Sequence, residues 1–316
     1  MKKFFIMGMA AMGLALTACN NDETVDVAKG NAIGFSSFVE KSTRGATDVT
    51  LENLENIEVY GWRGDNLIFN AQQVNAKTGA YSPLQYWEAG YTYNFEAIAP
   101  KNGEKGVTFA ANVNGGTITF ENDAVTDLLY AKATERTAVK ETEAPEKVSF
   151  TLNHQLARVK FTFKNTFPET AAAKITVKDV KITNAYKNGT ITPAAKNATW
   201  TATDQTLAVN FAGNITALAA GGGAAATDHM YLIPTAKEES YIVTFLVTLD
   251  QNGATTDYTH SVTVKTTQKQ GMSYNYIAEI NQNNINPDVD GKLYPIEFTT
   301  SVTGWEDWAD EPKIMQ

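Results

Sequence analysis

The sequence has one cysteine and three histidines, and these low counts exclude several kinds of protein. Cys19 has no second cysteine with which to form an intrachain disulfide. The histidines are far apart in the chain, and none has the short spacing of a zinc site. A GxSxG nucleophile elbow and a phosphate-binding glycine loop are also absent. The sequence therefore predicts no catalytic residue, no metal ligand and no cofactor, and a protein that is not an enzyme.

Basic residues are too few to suit an anionic partner. The chain carries 26 Lys and Arg against 35 Asp and Glu, a net charge of −9 at pH 7. Phosphate backbones and anionic lipid surfaces attract basic patches, which this balance argues against. We therefore expect no nucleic-acid partner and a surface that faces an aqueous medium.

Helical periodicity is weak after residue 18. The alanine-rich stretch 216–227 contains three consecutive glycines, which would cost a helix about 3 kcal/mol, so it is predicted to be a loop. The charged stretch 137–147 has no apolar stripe and is also predicted to be a loop. These features exclude a helical bundle.

Alternation of apolar and polar residues is the dominant pattern. It runs through residues 57–60, 157–164, 241–249 and 296–302, and Asn-Gly or Asp-Gly steps separate many such runs. Side chains of a strand point to opposite faces in turn, so each run predicts a half-buried strand. Many short strands with frequent turns predict an all-β chain of two tandem antiparallel β-sandwich domains. We place these domains at residues 45–150 and 151–316.

The N-terminus has the pattern of a bacterial lipoprotein signal. Lys2 and Lys3 precede an uncharged apolar run at residues 4–16, which is too short to be a stable membrane-spanning helix. The run ends in Leu-Thr-Ala-Cys, a lipobox whose cysteine thiolate can accept a lipid. We predict a signal peptide at residues 1–18 and lipidation of Cys19. The alternative is a cytosolic protein with an apolar N-terminal helix.

One stretch is similar to a calcium-binding loop. Residues 286–297 place oxygen-bearing side chains at positions 1, 3, 5 and 12, and glycine at position 6, as in an EF-hand. The flanks have strand patterns, whereas an EF-hand needs helices, and Pro295 interrupts the loop. We favour a polar turn between strands and keep calcium binding as the alternative.

Aromatic residues are numerous and allow a second functional interpretation. They are Trp62, Tyr81, Tyr86, Trp87, Tyr91, Tyr93, Phe95, Trp305 and Trp308. Aromatic residues of a sandwich usually pack in its core, but exposed rings can form a platform for sugars. A surface glycan-binding lipoprotein is therefore an alternative function. A hydrolase whose carboxylates meet only in space is a third.

A series of short segments occurs in a characteristic order along the chain. They are the lipobox at Cys19 and residues 32–35, 42–45, 60–62, 86–100, 127–131, 154–161, 271–276 and 302–305. Together they resemble the fimbrillin (Mfa-like) family, the major and minor fimbrial subunit lipoproteins of Gram-negative anaerobes. The resemblance covers nearly the whole chain and implies two tandem transthyretin-like β-sandwiches.

The resemblance also implies a route of assembly. The precursor would be held to the outer membrane by the lipid on Cys19, and an arginine-specific protease would cut after Arg44. The cut would release residues 19–44 as a propeptide that includes the first strand. A strand from another pilin subunit would then fill the vacated site. In this chain the donor-strand candidates are Ile296, Phe298 and Val302, which alternate correctly.

The end of the chain bears on the position of the subunit in a pilus. Residues 309–316 are polar and interrupted by proline, so they make a poor donor strand. This favours a tip or accessory subunit over a stalk subunit. The mature protein would lie in a surface fimbria, with a host or bacterial receptor as a further partner.

Overall fold

The computed structural model describes residues 31–39, 49–113, 115–137, 146–194, 197–213, 215–287 and 296–305. These residues form twenty β-strands and one short 3-10 helix, Glu169–Ala171. They contain no α-helix, and no helix with the length and hydropathy needed to cross a membrane. The predicted all-β class is confirmed. The predicted signal peptide, Cys19 and Arg44 lie outside the described residues.

The strands are 3 to 13 residues long. They are β1 (Phe35–Val39), β2 (Asn56–Arg63), β3 (Asn66–Asn75), β4 (Thr92–Ala99), β5 (Val107–Ala110), β6 (Thr117–Glu121), β7 (Leu129–Thr137), β8 (Val148–His154), β9 (Ala157–Asn165), β10 (Ala173–Ala185), β11 (Asn188–Ile191), β12 (Trp200–Thr203), β13 (Leu207–Asn210), β14 (Ile215–Ala219), β15 (Gly223–Ala226), β16 (Met230–Leu232), β17 (Glu239–Gln251), β18 (Ala254–Thr266), β19 (Met272–Ile280) and β20 (Phe298–Gly304).

The strands form four sheets. The first has the order β1-β8-β7-β4-β2-β3, and a small second sheet has the order β12-β11-β6-β5. The third has the order β13-β10-β17-β18 with β14 beside β10, and the fourth has the order β15-β9-β19-β20 with β16 beside β9. The third and fourth sheets enclose the largest hydrophobic core, since its buried residues come from both.

Burial along the strands follows the alternation that the sequence shows. In β17 the buried side chains are Tyr241, Val243, Phe245 and Val247, and their neighbours are partly or fully exposed. β2 differs, because it is buried on both faces from Ile57 to Trp62. One face of β2 packs into the core of the first sheet and the other packs against the small second sheet.

The small second sheet joins the two halves of the chain. β6 pairs with β11, so strands from both sides of residue 150 share one sheet. A third hydrophobic cluster packs beside this sheet. It contains Trp62 and Phe120 from the first half of the chain and Trp200 and Tyr231 from the second. β8 also runs past residue 150, from Val148 to His154. The boundary between residues 150 and 151 remains a prediction.

Strand direction is one feature that alternation does not encode. β1 runs parallel to β8, and β19 runs parallel to β9, whereas the other pairings are antiparallel. Either direction buries the same face of a strand, so both fit the same hydrophobic pattern. The first and fourth sheets are therefore mixed, and the second and third are antiparallel.

The prediction of a loop at residues 216–227 is wrong. Instead, β14 and β15 form there, and β14 pairs with β10 while β15 pairs with β9. Gly221 and Gly222 adopt φ values of 85° and 105°, which glycine reaches without steric cost, so they form the turn between the two strands. The glycines that argue against a helix are what a tight turn requires. Most of the second predicted loop, residues 138–145, lies outside the described residues.

Candidate functional site

The first strand is the outermost strand of its sheet. β1 pairs in parallel with β8, with Phe35 opposite Val148 and Val39 opposite Leu152. The amide of Val148 also donates a hydrogen bond of 2.8 Å to the carbonyl of Gly34. β1 thus lies at a sheet edge, where one ladder of backbone hydrogen bonds to β8 holds Phe35–Val39. Just before it, Ala32 forms an antiparallel bridge with Tyr86 on the other side.

Phe35 anchors this strand in the core. Its side chain is 2% exposed, and its ring lies among four other aromatic rings. The centroid distances are 5.3 Å to Phe69, 5.3 Å to Tyr81, 5.7 Å to Phe95 and 5.8 Å to Phe150. Burial of a phenylalanine contributes about 1.5–3 kcal/mol, and well-oriented ring pairs add roughly 0.5–1.5 kcal/mol each.

Polar contacts on both sides of Phe35 define where the strand sits. The Tyr81 hydroxyl donates to the carbonyl of Ile33 at 2.7 Å, and the amide of Ile33 donates to the carbonyl of Gln85 at 2.8 Å. The Ser37 hydroxyl donates to the carbonyl of Ala76 at 2.5 Å. These contacts come from the segment between β3 and β4, which covers β1 on the side away from β8.

Gly79 lets that covering segment approach closely. Its φ is +72°, and a Cβ placed on it would lie 2.1 Å from the carbonyl oxygen of Phe35. Every other residue would therefore push the segment away from β1. The close approach leaves no room for a side chain at this position.

The opposite face of β1 is open to solvent. Phe38 is 56% exposed, although it lies only three residues from buried Phe35. Ser36 also points outward, and its hydroxyl lies 3.1 Å from the hydroxyl of Ser149 on β8. β1 is therefore an amphipathic edge strand with one buried aromatic anchor.

The last described strand, β20, is also an edge strand, and it contains the donor-strand candidates. It pairs antiparallel with β19. Ile296, just before it, is buried, and the ring of Phe298 lies 5.4 Å from that of Phe161. Val302 is 47% exposed. The predicted inward face is thus present at the start of the segment and absent at Val302.

Trp305 fixes the end of β20. It is 3% exposed, and its ring stacks on His154 with a centroid distance of 4.1 Å and an angle of 11°. The guanidinium of Arg158 lies 4.9 Å from the ring centroid, and its Nη2 donates to the carbonyl of Trp305 at 2.9 Å. A buried cation over an aromatic face can contribute about 2 kcal/mol. The C-terminal strand is therefore held at both ends.

Residues distant in sequence meet around Trp305. His154 Nδ1 lies 2.9 Å from Asp127 Oδ2, and Arg158 Nε donates to Ser273 Oγ at 3.0 Å. All these residues are buried. His154 therefore packs where buried residues from distant parts of the chain meet. The alternation pattern placed Arg158 on a solvent face of β9, and this is wrong, because the C-terminal segment covers that face.

A buried carboxylate lies on the other side of the first sheet. Glu96 accepts hydrogen bonds from the Tyr130 hydroxyl at 2.8 Å and from the amide of Gly116 at 3.0 Å. Burial raises the pKa of Glu96, while these two donors and Lys132 act in the opposite direction. Burial is also the main reason why the pKa of Tyr130 is raised. The carboxylate ties the segment before β6 to β4, which is a structural role.

The aromatic residues proposed for sugar binding are largely internal. Trp62, Trp87, Tyr93, Phe95 and Trp305 are all buried. Exposed rings do occur at Tyr86 and Tyr91. Trp308 lies outside the described residues. A platform of tryptophans is therefore not present in the part of the chain that the structure describes.

Among the described residues, no three His, Cys, Asp or Glu side chains group closely enough to hold a metal ion. Most of the calcium-like stretch, residues 288–295, lies outside them.

Comparison with known proteins identifies the family. The profile of the fimbrillin-like family matches residues 43–305. A candidate cell adhesion protein from Bacteroides uniformis shares the fold with a TM-score of 0.51 and 17% identity, over 87% of this chain and 98% of that chain. One from Bacteroides ovatus aligns with a TM-score of 0.48 and 17% identity, over 87% of this chain and 97% of that chain. No curated protein matches the chain significantly. Since the family profile spans most of its length, the chain belongs to the fimbrillin-like family.

Proposed function

We propose that this chain is an adhesive pilus subunit, exported as a lipoprotein and assembled by replacement of its first strand. The observation that carries this proposal is the position of β1, a short edge strand with one buried aromatic anchor. The chain between β1 and Val49 contains Arg44. A cut there would leave β1 attached to the fold by noncovalent contacts alone.

Loss of β1 would create a binding site. The outer edge of β8 would expose unpaired backbone groups, and the pocket of Phe35 would open between Phe69, Phe95 and Phe150. Unpaired backbone groups and exposed apolar rings are both unfavourable in water. A strand from another pilin subunit would pair with the backbone groups and cover the rings. Its main-chain hydrogen bonds would supply affinity, and its alternate side chains would set the register. Repeated head-to-tail donation builds a filament.

The C-terminal strand bears on where the subunit sits in the filament. To act as a donor, β20 would have to leave β19, expose Ile296 and Phe298, and withdraw Trp305 from Arg158. Removing one partner of a buried charged group is costly, so we infer that β20 stays in its own sheet. The subunit would then accept a strand without donating one. This supports a tip or accessory position.

The lipid and the protease follow from the same proposal. Lipidation of Cys19 would hold the precursor at the outer membrane until an arginine-specific protease removes residues 19–44. The mature subunit would then leave the lipid behind and enter a surface fimbria. Its acidic charge argues against a nucleic-acid partner, and a host or bacterial receptor would be its partner at the surface.

Limited arginine-specific proteolysis of the purified precursor tests the proposal. The chain has four arginines, and Arg63 and Arg158 lie within β2 and β9. We expect the first cut after Arg44, detected by mass spectrometry. Arg44→Lys should remove that product and leave slower cleavage at Arg136, a partly exposed residue near the end of β7. If wild type and Arg44→Lys give the same first product, the proposed maturation is overturned.

A further inference from the structure

β1 shows which side chains its position accepts. Ile33, Phe35 and Ser37 are buried at alternate positions. Phe38, on the opposite face, is exposed. A replacement strand would meet the same surroundings. Its inward side chains therefore have to match the three positions one by one.

Each inward position has a distinct chemistry. The Phe35 position is lined by aromatic rings, which favours another aromatic side chain. The Ser37 position is buried and faces the carbonyl of Ala76 at 2.5 Å, so it suits a small side chain that donates a hydrogen bond. The Ile33 position is fully buried and suits a branched aliphatic residue.

The hydrogen-bond donors around β1 also favour one strand direction. The Val148 amide donates to the carbonyl of Gly34, and the Tyr81 hydroxyl donates to the carbonyl of Ile33. These donors are placed for a strand that runs parallel to β8. A reversed strand would present its aromatic and hydroxyl side chains in the opposite order, so at most one of the two could occupy its own position beside the rings or beside Ala76.

We propose that the β1 position is a docking site for a strand of another pilin subunit with a defined pattern and direction. The strand carries a branched aliphatic, an aromatic and a hydroxyl residue at alternate positions, and it enters parallel to β8. This proposal rests on the replacement of β1 proposed above. It adds the chemistry of the partner and its orientation.

The chain itself contains a segment of this kind. Residues 296–302 read Ile-Glu-Phe-Thr-Thr-Ser-Val, and residues 33–39 read Ile-Gly-Phe-Ser-Ser-Phe-Val. Isoleucine, phenylalanine, a hydroxyl residue and valine therefore recur at the same spacing. In this subunit the second segment is held within β20, but its sequence provides a natural probe.

Peptide exchange on the cut chain tests the pattern. The full chain, with Cys19→Ser and cut after Arg44, is incubated with a fluorescent peptide of residues 31–39, and binding is measured by anisotropy. We expect Phe35→Ala in the peptide to weaken binding about a hundredfold, because it empties the ring-lined pocket. Phe38→Ala is the matched control and should change binding less than about threefold, since that side chain is exposed. A peptide of residues 296–302 should compete.

The outcomes separate the two proposals. If the peptide of residues 31–39 never enters the cut chain, replacement of β1 fails, and the proposed function fails with it. If that peptide enters but both alanine variants bind alike, or the peptide of residues 296–302 does not compete, only the pattern is overturned.

Disulfide trapping tests the direction. Ser149→Cys in the cut chain lies opposite position 36 of a parallel strand, as the 3.1 Å contact between Ser36 and Ser149 shows. A strand reversed about position 37 would bring position 38 there instead. We therefore expect a peptide with Ser36→Cys to be trapped and one with Phe38→Cys to remain free. The opposite result would overturn the parallel orientation.

Discussion

At the residue scale, Phe35 and Phe38 show the same side chain in two environments on one strand. Phe35→Ala removes a ring from the core, so we expect a loss of about 3–5 kcal/mol in the free energy of unfolding of the uncut chain. Phe38→Ala should cost less than about 1 kcal/mol, because the ring is mostly in water. Urea unfolding measures both. Equal losses would contradict the burial of one face of β1.

Glu96 gives a pH-dependent prediction at the same scale. Its pKa is raised, mainly because burial disfavours the charged form. Stability contributed by the protonated form is fully present below the unfolded pKa, near 4.5, and is lost as the pH rises through the folded pKa. We expect the free energy of unfolding of wild type to fall across this window relative to Glu96→Gln.

Denaturant titrations at a series of pH values test this expectation. Glu104 is exposed, so Glu104→Gln is the control and should follow the wild-type profile. If the free energies of unfolding of wild type and Glu96→Gln changed with pH in parallel, the pKa of Glu96 would not be raised in the folded state.

At the element scale, the segment that covers β1 depends on Gly79. Gly79→Ala would place a methyl group 2.1 Å from the carbonyl of Phe35 and should loosen β1, seen as faster amide exchange at residues 35–39. Gly90→Ala is a matched control, because Gly90 also has a positive φ, +84°, but has open space around it. Gly90→Ala therefore introduces the same unfavourable positive φ but no steric clash. If both variants exchange alike, the close approach does not hold β1.

β20 gives a second prediction at this scale. Trp305→Ala removes the ring that stacks on His154 and underlies Arg158, so we expect a loss of about 3–5 kcal/mol in stability. Amide exchange along β20 should also increase. Val302→Ala, on the exposed face of the same strand, should cost less than about 1 kcal/mol. Unchanged exchange in Trp305→Ala would mean that β20 is held by its ladder with β19 alone.

At the scale of the whole molecule, the retention of β20 predicts the size of the cut protein. If the subunit accepts a strand without donating one, the chain cut after Arg44 should stay monomeric as its concentration rises. Analytical ultracentrifugation over a range of concentrations measures this. Growth into long polymers would contradict the retention of β20 and would place the subunit in the stalk.

At the same scale, one sheet and one hydrophobic cluster contain residues from both halves of the chain. The pairing of β6 with β11 and the cluster that contains Trp62 and Trp200 connect the halves on either side of residue 150. The motifs around Asp127, His154 and Trp305 meet beside this connection. Anchoring of the C-terminal strand and contact between the halves therefore depend on the same buried residues.

The sequence alone determined the fold class and many of the buried strand faces, because alternation of apolar and polar residues specifies a strand whatever its partners are. That alternation indicates the all-β class and the buried face that begins at Ile296 and Phe298, whereas the strand before Arg44 was implied by the family resemblance. Family membership also follows from the order of short motifs, and the family profile confirms it.

Only the tertiary structure decided which strands pair, in which direction, and what covers their second faces. Alternation is the same for parallel and antiparallel neighbours, so it could not predict that β1 runs parallel to β8. It also assigned Arg158 to solvent, because the side chain that covers it, Trp305, lies 147 residues away in sequence. Glycines 221–223 were similarly ambiguous, since a break in a helix and a turn between strands need the same residue.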